Sequence, residues 1–323
     1  MTSATGAGRL CELRNYAAAI EVLAGEFDAA GLFFGHGTDR AEDEAAWLVA
    51  AQLGIDYADQ DWPRDFEQAL ASPVSRSVAE NLSRIARERI RTRRPLAYLL
   101  GEAWFAGLRF YVDDNVLVPR SPVAELIAQS YQPWVDPARV TRVLDLCTGS
   151  GCIAIASAVA LPNATVDASD VSALALDVAA RNVALHEMAS RVRLIESDLF
   201  ADPAVGEYDL IVSNPPYVDA AQMRARAPEF QREPELGLAA GDDGLDLVRI
   251  ILAQAAGHLR DEGVLIVEVG VSDEALQSLY AEVPFTWLEF AGDAGGVFVM
   301  SKTELLAYQA VFDARREANP RGR

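Results

Sequence analysis

Residues 143–156 read VLDLCTGSGCIAIA, which is an apolar strand, a turn with two glycines and an apolar helix in direct succession. Glycine allows a ligand to approach the backbone closely, and the start of a helix presents unpaired N–H groups. The junction therefore predicts a nucleotide-type ligand. The turn alone does not exclude a dinucleotide, because the looser glycine pattern accepts Ala154 at its third position. Five turn residues are candidate ligand contacts: Cys147, Thr148, Gly149, Ser150 and Gly151.

Two later strands end next to acidic residues. The strand predicted over 164–169 ends in Asp170, 19 residues after Gly151, where a carboxylate can accept both ribose hydroxyls of an adenosine. The alternative is that Asp170 is the N-cap of a helix over 172–182. The strand predicted over 192–196 leads to Asp198 and Leu199, where a carboxylate and an apolar group would frame an adenine.

The stretch at 209–217 reads DLIVSNPPY, an apolar strand that runs into Asn214, Pro215, Pro216 and Tyr217. The two prolines fix φ and have no N–H, so the carbonyl of Pro215 is a bare acceptor. The side-chain oxygen of Asn214 is a second acceptor, and Tyr217 offers a flat face for stacking. This tetrapeptide, called the trap below, can accept both hydrogens of a planar NH2 group. The other reading of these four residues alone is a structural turn.

The order of these elements indicates both fold and chemistry. From Arg142 onwards, strands alternate with helices, which is typical of a parallel sheet with helices on both faces. Strands predicted over 285–290 and 297–301 are close enough to form an antiparallel edge hairpin. Strand, glycine turn, acidic strand ends and the trap together resemble an S-adenosylmethionine-dependent methyltransferase. A dehydrogenase would not need the trap.

A wider set of motifs resembles the HemK/PrmB family of protein-glutamine methyltransferases. The resemblance covers roughly residues 90–301, with a similar helical domain before it. The matching stretches are RPLAYL at 94–99, FYV at 110–112, VLVPRSP at 116–122, DLCTGSG at 145–151, SDLF at 197–200, NPPY at 214–217, REPELGLA at 232–239 and GDDGL at 241–245.

The resemblance implies a class I (Rossmann-like) S-adenosylmethionine-dependent methyltransferase fold. That fold is an α/β architecture with a mostly parallel seven-stranded sheet, an antiparallel edge hairpin and an N-terminal helical domain. It also implies S-adenosyl-L-methionine as cofactor, bound by the turn residues, Asp170, Asp198, Leu199 and Asn214. Asn214, Pro215 and Tyr217 are then catalytic, and the substrate contacts are the trap and Phe110.

Two features within the resemblance indicate a branch of the family. The Pro-Arg-Ser-Pro form at 119–122 and the Cys147 form of the turn resemble the branch that methylates the third large-subunit ribosomal protein. The release-factor branch typically has Pro-Arg-Pro-x-Thr-Glu at the first position. Release-factor methylation remains an alternative, and adenine-amino methylation of nucleic acid is another, because an exocyclic amine is also planar.

The chain divides into five expected segments. Residues 1–8 are small and polar and are expected to be disordered. Helical spacing predicts a helical substrate-recognition domain over 9–94, followed by a linker with a β-hairpin over 95–125, whose connector is predicted at 113–115. The methyltransferase domain is expected over 126–308 and a C-terminal tail over 309–323.

Composition narrows location and cofactors. No run of 18 uncharged apolar residues occurs, so no membrane span or membrane partner is expected. The N-terminus lacks the basic segment followed by an apolar block that marks export, so no export is expected. Three cysteines without zinc-like spacing predict a reducing cytoplasm. With three histidines and no His-x-x-x-His pair, no metal site is expected.

The net charge of −20 bears on partners. Such a protein repels a phosphate backbone on average and attracts a basic protein. The ribosomal protein that the resemblance implies is basic, so we expect it as the partner, free or in an early assembly particle. No direct sequence-specific binding of nucleic acid is expected. The alternative is that the acidity only reflects solubility or a salty cytoplasm. Six arginines within 84–94 are the local exception, and we expect them to form a solvated helix end rather than a nucleic-acid contact.

Overall fold

The structure is a computed structural model that describes residues 10, 12–55, 61–202, 204–219, 222–223, 226–291 and 295–318. The expected disordered segment 1–8 lies outside the described residues. Two compact units are present. The helical unit comprises the chain up to Asp114 together with 118–120 and 227–232, and the sheet unit comprises the remainder. None of the described helices is long and apolar enough to cross a membrane.

Some helices of the helical unit have clear start or stop signals. Asn15 caps the first helix by accepting from the N–H of Ala18 at 3.0 Å, and Ser75 caps the long fourth helix in the same way. Gly54 ends the second helix with a left-handed φ of 69°. The helices of this unit are α1 Tyr16–Ala29, α2 Ala41–Leu53, α3 Trp62–Leu70, α4 Arg76–Thr92 and α5 Leu96–Leu100.

A β-hairpin lies in this unit, but its predicted connector at 113–115 is wrong. Strands β1 (Glu102–Phe105) and β2 (Leu108–Tyr111) pair with each other, and the turn falls at Ala106 and Gly107. Both turn residues have positive φ, 49° and 76°, which suits a two-residue turn between twisted antiparallel strands. Residues 116–118 form no strand.

The sheet unit contains a seven-stranded sheet, whose strands are β3 Arg142–Leu146, β4 Thr165–Asp170, β5 Val192–Glu196, β6 Tyr208–Ser213, β7 Leu259–Glu268, β8 Thr286–Trp287 and β9 Val297–Ser301. Their order across the sheet is β5-β4-β3-β6-β7-β9-β8. The first five strands in this order run parallel, and β9 pairs antiparallel with both β7 and β8. The expected antiparallel edge hairpin is therefore confirmed.

Helices connect these strands and cover a continuous apolar core. The helices are α6 Val123–Ala128, α7 Cys152–Ala160, α8 Ala173–Leu185, α9 Asp246–Gln254, α10 Asp273–Leu279, α11 Lys302–Ala307 and α12 Gln309–Ala318. The region expected as a tail from 309 thus contains a helix, and its Phe312 is fully buried in the core. Strand β3 is buried at Val143–Leu146, as expected for a central parallel strand.

The strand order fixes where a ligand can bind. Strand β3 has β4 on one side and β6 on the other, so the order in which strands are added to the sheet reverses at β3. In open α/β sheets, ligands bind outside the carboxyl ends of the strands at such a switch point. The carboxyl ends of β3, β4, β5 and β6 lead directly into the turn residues, Asp170, Asp198 and the trap.

Candidate active site

The turn between β3 and α7 contains residues with positive φ, a backbone conformation that residues other than glycine rarely adopt. Gly149 and Gly151 have φ values of 55° and 79°, and Cys147, which is not a glycine, has a φ of 64°. A Cβ added at Gly151 would lie 3.2 Å from the Cβ of Ala179, so α8 packs closely on the turn. A Cβ at Gly149 would meet nothing within 4 Å, which leaves space beside the backbone there.

Asp145, at the end of β3, supports this turn from below and was not predicted as a site residue. Its Oδ2 accepts from the hydroxyl of Thr148 and from the N–H of Ala154 at 2.9 Å. Oδ1 is buried and has no hydrogen-bond partner among the described residues. Burial raises the pKa of Asp145 to about 7, against the lowering effect of those two hydrogen bonds. An acidic residue inside an apolar strand, just before a glycine turn, was the signal in the sequence.

Asp170 lies at the end of β4 and contacts the turn. Its Oδ2 accepts from the N–H of Gly149 and its Oδ1 from the N–H of Ser172, both at 2.9 Å. Burial raises the pKa of this carboxyl above its usual value, although the backbone N–H groups act in the opposite direction. The N-cap alternative is wrong, because Ser172 caps α8 by accepting from the N–H of Ala175. Each carboxylate oxygen has a second lone pair for a hydroxyl.

The end of β5 lies beside Asp170. The N–H of Ser197 donates to the carbonyl of Asp170 at 2.9 Å. Asp198 and Leu199 therefore follow a residue that is bonded to Asp170, the predicted ribose contact. Asp198 is exposed and Leu199 is buried with a φ of 54°. A cavity of about 500 Å³ opens beside both, with Ile250 and His258 also in its lining. Neither the glycine turn nor Asp170 is among the residues that line this cavity.

The trap follows β6 directly. The hydroxyl of Ser213 donates to the carbonyl of Leu146 at 2.7 Å, which fixes the trap to the strand that carries the glycine turn. Pro215 is buried, and Asn214, Pro216 and Tyr217 are half-buried. The next residue, Val218, forms a bridge with Ala239 of the REPELGLA stretch.

Tyr217 is held by groups from several segments of the sheet unit. Its phenol donates to Oε1 of Glu268 at 2.9 Å, and its carbonyl accepts from the hydroxyl of Ser272 at 2.8 Å. The ring lies against Gly270, where an added Cβ would be 2.4 Å from Cε2. A Cβ at Gly244 would be 2.4 Å from the Tyr217 carbonyl oxygen. The position of this tyrosine therefore requires glycine at 244, in the GDDGL stretch, and at 270.

Phe110 is the predicted substrate contact that lies elsewhere. It is in β2 of the helical unit, and its side chain is fully buried. The other predicted contacts are in the sheet unit, at the carboxyl ends of its parallel strands. A role for Phe110 in binding the substrate remains a prediction.

Sheet order, glycine turn and trap together define a methyltransferase of the class I fold. The family model described as Methyltransferase small domain matches residues 131–231. A crystal structure of the hMettl16 catalytic domain in complex with a MAT2A 3'UTR hairpin is 16% identical, covers 68% of this chain and 82% of that chain, and has a TM-score of 0.48.

Two curated relatives are similar over most of the chain. The ribosomal protein uL3 glutamine methyltransferase of Xanthomonas campestris pv. campestris is 48% identical over 88% of this chain and 90% of the relative. The protein with the same description from Francisella tularensis subsp. tularensis is 42% identical over 89% and 90%. The chain belongs to the family of ribosomal protein uL3 glutamine methyltransferases.

Proposed function

We propose that this protein transfers a methyl group from S-adenosylmethionine to the side-chain amide nitrogen of a glutamine in ribosomal protein uL3. The observation that carries the chemistry is the trap, with its two oxygen acceptors next to the strand that carries the glycine turn. The two relatives support the choice of uL3 as substrate. They favour it over the release-factor alternative.

The residues at the carboxyl ends of β3, β4 and β5 fit the cofactor. Space beside Gly149, the remaining lone pairs of Asp170 and the unpaired Oδ1 of Asp145 offer a close backbone approach and acceptors for hydroxyl or ammonium groups. Asp198 and Leu199 would hold the adenine. S-Adenosylmethionine supplies an electrophilic methyl group on a positively charged sulfur.

The trap solves the problem of a weak nucleophile. The lone pair of an amide nitrogen is delocalised into the carbonyl, so the nitrogen must rehybridise to attack. Asn214 Oδ1 and the Pro215 carbonyl oxygen accept hydrogen bonds from the two N–H groups of the amide. These contacts orient the nitrogen lone pair and stabilise the positive charge that develops on nitrogen. Tyr217 stacks on the amide plane. The nitrogen would take the methyl group as the bond from that carbon to the donor sulfur breaks, with S-adenosylhomocysteine as the leaving group, and the acidic N-methylated amide would then release its proton to water.

Replacing Asn214 tests the trap. Asn214→Ala is expected to lower the single-turnover rate about 10²–10³-fold, since one preorganised contact to the developing charge is lost. Affinity for the donor should stay within a few-fold. Asn163→Ala is the matched control, because Asn163 is exposed in the turn before β4. A near-normal rate for Asn214→Ala would contradict the proposed chemistry.

The substrate is tested by transfer of a labelled methyl group to four purified acceptors. We expect label in free uL3, with mass spectrometry placing it on a glutamine, and none in a release factor or in RNA. Mature ribosomes should be poorer than free uL3, because a net charge of −20 attracts a basic protein and is repelled by ribosomal RNA. Added salt should slow methylation of free uL3. Equal, salt-insensitive labelling of ribosomes and free protein would refute the electrostatic part.

A further inference from the structure

A buried carboxylate links the trap to the Pro-Arg-Ser-Pro stretch. Glu268 ends β7, and only 4% of its surface is exposed. Its Oε1 accepts from the phenol of Tyr217 at 2.9 Å, and its Oε2 accepts from the hydroxyl of Ser121 at 2.5 Å. The Ser121 hydroxyl in turn accepts from the N–H of Val123 at 3.2 Å, at the start of α6. Each oxygen of one carboxylate thus receives a hydroxyl from a different segment.

These contacts restrict how the Tyr217 ring can move. The main chain of Tyr217 is held through the Ser272 hydroxyl, the ring lies against Gly270, and the phenol is bound by Glu268. A Cβ at Gly296 would lie 1.9 Å from the carbonyl oxygen of Gly270, so Gly270 itself cannot retreat. A stacking partner improves the rate only if its plane is fixed, because small misplacements of a bound group are costly to the rate.

We propose that Glu268, itself oriented by Ser121, is a positioning residue that fixes the plane of Tyr217 and through it the plane of the acceptor amide. This inference rests on the proposed function, in which Tyr217 stacks on that amide. It gives the serine of the Pro-Arg-Ser-Pro stretch a physical role. A proline at that position, as in the release-factor form, has no hydroxyl to donate to Glu268.

A double-mutant cycle separates positioning from mere packing. Glu268→Gln offers only one acceptor oxygen to two hydroxyl donors, and Tyr217→Phe removes the phenol. Each single variant is expected to lower kcat roughly ten- to a hundred-fold on uL3, with donor affinity and KM for uL3 changed less than about three-fold. Because Glu268 acts through the phenol, Glu268→Gln should lower kcat little further in a Tyr217→Phe background. Independent, multiplicative losses in kcat would overturn the proposal.

A second buried pair of hydroxyls provides the matched control. Tyr131 is fully buried, and its phenol lies 2.6 Å from the hydroxyl of Ser157. Tyr131→Phe therefore removes a comparable buried tyrosine hydroxyl from the sheet unit, and this hydroxyl takes no part in the contacts of Tyr217 and Glu268 described above. It is expected to lower Tm while kcat stays unchanged. A loss of kcat in Tyr131→Phe equal to that in Tyr217→Phe would show that the effect is only structural.

Ser121 and Asn214 variants complete the experiment. Ser121→Ala should lower kcat in the same direction as Glu268→Gln but less, since it loosens the carboxylate without removing it. Normal kcat in both Glu268→Gln and Ser121→Ala, alongside an inactive Asn214→Ala, would refute positioning and leave the proposed function intact. An active Asn214→Ala would instead refute the proposed function.

Discussion

Two buried carboxylate sites, one in each unit, are compensated in opposite ways. In the helical unit, Glu44 and Glu229 share the guanidinium of Arg89, which is completely buried at the end of α4. Glu229 also accepts from Arg93 and from the N–H of Phe33 at 3.1 Å. Burial raises the pKa of Glu229, but these hydrogen bonds and charges outweigh it and hold the pKa below its usual value. Of the three groups that contact Glu229, only Arg89 also contacts Glu44. Burial therefore prevails at Glu44 and raises its pKa.

At Asp145 of the sheet unit, none of the described residues pairs a cation with the carboxylate. Among those residues, a hydroxyl and a backbone N–H donate to Oδ2 and Oδ1 has no hydrogen-bond partner, while burial raises the pKa to about 7. Buried charges are normally paired, and unpaired polar groups in native structures call for an explanation. The comparison indicates that charges in the helical unit fix the structure, whereas the uncompensated carboxylate lies where the donor is proposed to bind.

Breaking the compensated network should have the largest effect on stability. Arg89→Met leaves two buried carboxylates without their shared cation and is expected to lower the free energy of unfolding by about 3–5 kcal/mol. Arg76→Met on the same helix is the control, because Arg76 is exposed and pairs only at the surface with Glu80. Its cost should stay within about 0.5 kcal/mol. Similar denaturation midpoints for the two variants would contradict a structural role for Arg89.

The uncompensated carboxylate should reveal itself through pH. The folded protein holds a proton on Asp145 up to about pH 7, whereas the unfolded chain releases it near 3.8. The free energy of unfolding therefore falls as pH rises between these values, by at most about 4 kcal/mol. Asp145→Asn removes this dependence. Its stability relative to the unsubstituted protein should increase from pH 5 to pH 8 in denaturant titrations without donor, and parallel pH profiles would argue against a raised pKa.

The sequence predicted the elements whose signals are local. Turn glycines, the acidic strand end at Asp170 and the Asn-Pro-Pro-Tyr stretch each combine a strand pattern with residues that immediately follow it. The hairpin connector was misplaced because Asp113, Asp114 and Asn115 carry turn-forming residues, while the real turn uses Ala106, which gives no such signal.

Long-range polar contacts could not be predicted from local patterns. The arginines at 84–94 were expected to form a solvated helix end. This is wrong for Arg89, because its side chain is completely buried. Its partner Glu229 is 140 residues away in the sequence, so no local pattern indicates the contact. The link between Ser121 and Glu268 spans 147 residues and was equally hidden. Charged residues give the same pattern in a sequence whether they face water or a distant partner.

Asp170→Ala tests the donor side of the sheet unit with a more moderate effect. The substitution leaves the N–H of Gly149 without its acceptor and removes the proposed contacts to two ribose hydroxyls. Hydrogen bonds to charged groups contribute about 1.5–3 kcal/mol each, so donor affinity should fall at least about ten-fold. Asp177→Ala, exposed on α8, is the control. Calorimetry showing equal affinities for the two folded variants would remove Asp170 from the site.

Cys147→Gly should give the smallest effect and sharpens the comparison within the turn itself. A non-glycine residue at a φ of 64° costs roughly 1–2 kcal/mol, which glycine avoids, but glycine costs about 0.5–1 kcal/mol in chain entropy. The half-buried thiol also packs against the core. We therefore expect unfolding free energy to change by less than about 1 kcal/mol and methyl transfer to persist. Cys147→Val, β-branched at the same φ, should be clearly less stable than Cys147→Gly. If valine were tolerated as well as glycine in thermal unfolding, backbone strain would not distinguish this turn, and Cys147 would matter for its packing alone.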